Sequence, residues 1–103
     1  MIKIKKITKL KVNSVQFKVI WDKSKRGASF DYGKKTIEIG CNKLDDSEIF
    51  ELICHEIMEV VACELYVRFN RLDVADDYIF VYDHRQHTTI MAMFSGLVSQ
   101  FIA

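Results

Sequence analysis

A chain of 103 residues is expected to form one domain rather than several, since one folding unit usually takes about 100–200 residues. Half the residues are apolar and 28% are charged, which excludes the composition of a disordered segment. The net charge is +1, but residues 1–35 hold eleven Lys/Arg against Asp22 and Asp31, while residues 36–103 hold four against twelve carboxylates.

The basic half opens with Ile2 and Ile4 alternating with lysines, a change of phase at Lys5-Lys6, and a continuation through Ile7 to Val12. Val15, Phe17, Val19 and Trp21 then alternate with Gln16, Lys18 and Ile20. This period of two predicts half-buried strands joined by a turn at Asn13-Ser14. Lys3, Lys5, Lys9 and Lys11 fall where such strands face solvent or guard an edge. A solvated sheet face is therefore expected, and nucleic acid is not the expected partner. Trp21 and the Tyr78, Phe80, Tyr82 set read as core or interface residues rather than base-stacking platforms.

Asp22 to Gly27 reads as a loop, followed by a hairpin of Ala28–Tyr32, a turn at Gly33-Lys34-Lys35, and Thr36–Gly40. Asp45 with Glu48 three residues on has the form of a capping box, and no glycine interrupts the chain from there to about Phe69. One long helix over that span, apolar nearly all round and so buried on several sides, is expected. Asn70 to Asp77 is polar and loop-like, and Tyr78–Tyr82 can form a short strand. Asp83 with Gln86 has the form of a second capping box, starting a helix at His84 that runs to about Ile102.

Cys41, Cys54 and Cys63 are an odd set without C-x-x-C spacing, and the N-terminus lacks a signal peptide's apolar core. A reducing, cytoplasmic compartment is expected. The long helix carries too many ionisable side chains to cross a membrane.

Its central segment reads His55-Glu56-Ile57-Met58-Glu59. At about 100° per residue, His55 and Glu59 are one turn and about 40° apart, and Glu56 lies about 60° beyond Glu59. An imidazole and a carboxylate so spaced can clamp one divalent ion, whereas burying such groups unpaired is costly. Glu56 lies too far round to ligate easily and would act on water as general base. A third ligand is needed. On the C-terminal helix, Ile90, Met93, Phe94, Leu97, Val98 and Phe101 form an apolar stripe with His87 near its middle, making His87 the leading donor. His84, one turn earlier and about 60° off the stripe, is the reserve. Cys63 lies two turns beyond His55 and Tyr66 three turns along, and both are rejected for the site.

Phe30-Asp31-Tyr32 leading into Ile37-Glu38-Ile39, then Leu52 to Glu59, then His87-x-x-Ile90-x-x-Met93-x-x-Gly96-Leu97 resembles the small zincin-like proteins common in phages and prophages. That resemblance covers most of the chain from Phe30 onward. It implies a metallopeptidase-like fold in which His55, Glu59 and His87 match the metal ligands and Glu56 the catalytic glutamate. Glu59 stands where His-Glu-x-x-His peptidases place a second histidine, and an anionic ligand there leaves less charge on zinc to polarise a carbonyl. Zinc is the leading metal, and iron or manganese also suits such a donor set.

The expected fold is thus a single α+β domain, 1–103, with a small antiparallel sheet covered by a metal-bearing helix and a C-terminal helix in the zincin-like style. The expected function is metal-dependent hydrolysis of peptide bonds, with a peptide or protein as substrate. The alternative is a phage or prophage accessory protein whose metal is structural and whose surface binds another protein.

Overall fold

The computed structural model describes residues 2–73 and 77–103. It is α+β: β1 (Lys9–Val12), β2 (Val15–Asp22), β3 (Arg26–Asp31), β4 (Thr36–Cys41), α1 (Asp46–Glu64), β5 (Arg68–Asn70), β6 (Tyr78–Phe80) and α2 (His84–Ser99). The first four strands make one sheet in the order β1-β2-β4-β3, and β5 with β6 makes a second, two-stranded one.

The predicted turns at Asn13-Ser14 and at 33–35 both form, with Asn13 and Lys35 in the left-handed region. The main sheet, however, is mixed rather than antiparallel. β1 with β2 and β3 with β4 are antiparallel, but β4 inserts beside β2 and runs parallel to it. Burial explains the order. β4 carries Ile37, Ile39, Gly40 and Cys41, all buried, and so takes a central position, while the exposed β3 takes the edge. Because β3 is the hairpin partner that leads into β4, the returning strand points the same way as β2. Gly40 is needed at the crossing: a Cβ there would lie 2.6 Å from the carbonyl oxygen of Gly27 and 2.8 Å from that of Lys25.

Side chains of one sheet face align across strands, with Val19 beside Ile37 and Ile37 beside Phe30. That face joins Ile53, Ile57 and Val60 of α1 and Ile90 and Leu97 of α2 in one core. Each such fully buried aliphatic side chain is worth about 1.5–3 kcal/mol. The opposite face carries the exposed Lys9, Lys11, Gln16 and Lys18, as the alternation predicts. Of the expected strand before Ile7, only a single bridge between Ile4 and Ile102 forms. Ile4 also donates its backbone N–H to Asp46 Oδ2 at 3.0 Å.

Both capping boxes form. Asp45 and Glu48 close one reciprocally, and Asp83 and Gln86 the other. The helices end sooner than expected. α1 stops at Glu64 rather than near Phe69, because Tyr66 turns left-handed at φ 58. Its N–H then bonds the Cys63 carbonyl, while the Val67 N–H bonds that of Ala62. This is a Schellman closure in which a tyrosine occupies the place usually taken by glycine, so the sequence carries no stop signal. The turn reverses the chain and frees 68–70 to pair with β6. α2 ends at Ser99, and Phe101 beyond it is fully buried against Trp21, ring centroids 6.3 Å apart. Trp21 Nε1–H donates to the Ile7 carbonyl. The loop expected over 70–77 is described only at its two ends, and 74–76 lie outside the described residues. Among the described residues, no helix is long and apolar enough to cross a membrane.

Candidate metal centre

α1 lies against the sheet on one side and α2 on another, and its middle turn reaches the surface between them. His55 is exposed there, Glu59 is half-buried and Glu56 is buried. Their donor atoms all lie within 4.8 Å of one another. His55 Nε2 is 3.3 Å from Glu59 Oε2. The sequence expectation held Glu56 too far round to join this group, but side-chain length closes the azimuthal gap that backbone angles leave open.

Glu56 is the one buried charged residue among those described, at 5% exposure. Burial pushes its carboxyl above the ordinary glutamate range, and the neighbouring Glu59 carboxylate pushes the same way. His55 and Arg68 oppose both. A carboxylate raised toward neutrality and beside two donor groups is suited to accepting a proton.

His87 does not join the group. Its ring stacks on Tyr82 at 6.0 Å and on His84 at 6.4 Å, and both histidines are exposed. The apolar stripe of α2 was expected to carry His87 into the core. Burial begins only at Ile90, and every residue from Val81 to Thr89 is exposed. The first turn of α2 therefore extends beyond what its lower turns cover, so azimuth alone misplaces His87. Of the two rejected residues, Tyr66 is exposed at the helix end, while Cys63 Sγ accepts a hydrogen bond from Arg68 Nη1 at 3.4 Å.

Arg68 is a site residue that the sequence reading passed over. Its Nε lies 3.3 Å from Glu59 Oε1, although the alignment makes this an ionic contact and not a hydrogen bond. The guanidinium carbon sits 3.5 Å from the centre of the Tyr78 ring and 5.3 Å from that of Phe30. Glu59 is thus divided, one oxygen toward Arg68 and the other toward His55. Fixing a carboxylate through its second oxygen is how outer residues orient a metal ligand. The available signal was that Arg68 is the first cation after Lys43, beyond a helix rich in acids.

A cleft of about 660 Å³ opens over this group. His55, Glu59 and Asp77 supply its ionisable wall, and Cys54, Met58, Tyr78, Phe80, Met91 and Phe94 the apolar remainder. Burial raises the Cys54 thiol above its ordinary value, as befits a small apolar wall residue. The volume falls within the range of pockets that enclose small ligands. No family model, curated protein or solved structure matches this chain.

Proposed function

We propose that this chain is a zincin-like, metal-dependent hydrolase of peptide bonds. The observation that carries the reading is the convergence of His55, Glu56 and Glu59, of which His55 and Glu59 line the wall of an open, largely apolar cleft and Glu56 is buried beside them. One imidazole nitrogen with carboxylate oxygens is a donor set that suits zinc, iron or manganese. His55 and Glu59 would hold the ion, two protein ligands where catalytic zinc sites usually have three, since His87 stands apart and Glu56 is reserved for the proton. A divalent ion there would supply Lewis-acid polarisation of a carbonyl and a lowered water pKa.

The chain's own residues do the rest. Glu56, buried and raised in pKa, takes a proton from water and returns it to the leaving amine. Arg68 draws charge from one oxygen of Glu59, which offsets the drawback of an anionic ligand in a hydrolytic site.

The deciding experiment measures metal content and peptide-library cleavage together, on protein purified without an affinity tag. Near-stoichiometric metal is expected in the wild type, with a sharp drop in His55→Ala and Glu59→Gln and retention in His87→Ala. Glu56→Gln should keep the metal and lose hydrolysis. Full metal retention in both His55→Ala and Glu59→Gln refutes the centre, and loss in His87→Ala would bring that residue back as a ligand.

A second reading, a phage-type accessory protein with a structural ion and a protein-binding role, draws on the exposed Phe69, Leu72, Ile79, Phe80, Val81 and Tyr82. It prevails if the wild type cleaves nothing with zinc, iron or manganese while chelation lowers the melting temperature.

A further inference from the structure

Beside the cleft lies a smaller recess of about 140 Å³, lined by Met58, Ala62, Val67, Phe80, Tyr82 and Ile90. Met58 and Phe80 are walls of both, so the recess adjoins the cleft. No ionisable side chain other than the Tyr82 phenol lines it. An apolar cavity of about 150 Å³ is large enough for a benzene ring, so this recess matches one bulky aliphatic or aromatic side chain.

The surroundings select against charge. Of the cleft's acids, Glu59 is already paired with Arg68, and Asp77, 3.8 Å from Arg71, shares that cation with Asp73, which accepts two hydrogen bonds from it. That leaves no carboxylate on the cleft wall, among the described residues, without a cation beside it. The backbone points to an extended ligand. β6 pairs only with β5 among the described residues, which leaves its other edge able to add a strand. Tyr78 and Phe80, two residues apart on that strand, both line the cleft. Edge pairing plus a pocket for an alternate side chain is the arrangement that reads an extended peptide.

We infer that the cleft and its recess bind an extended peptide, with an uncharged bulky side chain such as Phe or Leu seated between Met58, Ala62, Phe80 and Ile90. This deepens the hydrolase reading by naming its substrate class, and it rests on the cleft being the substrate site. Met58 gives the shared wall an adaptable, unbranched surface, consistent with accepting both aromatic and branched residues.

The test is fluorescence anisotropy with labelled eight-residue peptides identical except for one central residue, which is Phe, Leu, Gly, Asp or Lys. It is run on the metal-free full chain and again with zinc. Phe and Leu peptides should bind at least about tenfold more tightly than the other three, the scale of burying one such side chain. Ala62→Leu, which fills the recess, should erase that preference, and Tyr82→Ala, at a more exposed wall, should weaken it. Equal affinity across the five peptides, no binding of any, or a preference unchanged by both variants overturns the inference. Selective binding without cleavage in any metal would remove the hydrolase reading and keep this one. Cleavage without side-chain preference would do the reverse.

Discussion

Glu56 should lower the stability of the metal-free protein at neutral pH, so replacing it should raise that stability. Its carboxyl is raised above about 4.5, the ordinary glutamate value, chiefly by burial. The folded state therefore binds this proton more tightly than the unfolded state. Stability falls as pH rises from the unfolded value through the folded one, and the whole penalty is present above both. Glu56→Gln keeps the shape and removes the ionisation. The amide is itself a buried polar group, so the gain is the difference between burying a charged and a neutral group just beneath the surface, about 1 kcal/mol. For a domain of this size that corresponds to a rise in melting temperature of about 4–8 °C. Circular dichroism melts in chelator between pH 4 and pH 8 measure it directly. The gap should be widest near pH 7–8 and should close toward pH 4, where the wild-type carboxyl is protonated in both states. A variant no more stable than wild type at pH 7, or a gap that stays constant on acidification, would refute the reasoning. A gain of this sign at a general base fits the wider pattern in which active-site groups cost stability.

Arg68→Met keeps the stem between Tyr78 and Phe30 but loses the guanidinium over the Tyr78 ring and the partner of Glu59. The expected loss is about 2 kcal/mol, read as a lower urea midpoint at unchanged slope, with Arg68→Lys falling between. A midpoint unchanged in Arg68→Met would show that the pair contributes nothing. Tyr32 donates its hydroxyl to Glu64 Oε2 and is pushed up from 10.0 to about 12 by that bond. Since both partners are partly exposed, Tyr32→Phe should cost about 1 kcal/mol. The folded-state pKa is raised, so this stabilisation is fully present below about pH 10 and is lost as pH rises through about 12. Denaturant curves of both proteins should therefore differ at pH 8 and converge toward pH 12, and a gap independent of pH would contradict the assignment.

What the sequence determined by itself was what neighbouring residues decide among themselves. The capping boxes at Asp45 and Asp83 and the turn at Gly33-Lys34-Lys35 are local, because each bond closes within three or four residues. The period-two pattern fixed which sheet face is apolar, and the one-turn spacing of His55 and Glu59 fixed that they meet. Tertiary structure decided the rest. The parallel pairing of β2 with β4 depends on which strand needs the centre of the sheet, a comparison among strands that no single strand reveals. Tyr66 ends α1 without a glycine because the bonds that close the turn and the burial of Val67 outweigh its backbone preference. That reversal brings Arg68 back to Glu59, nine residues earlier in the chain. His87 shares the azimuth of a buried stripe, yet burial also depends on how far along its axis each helix is covered, and the cover of α2 begins only at Ile90.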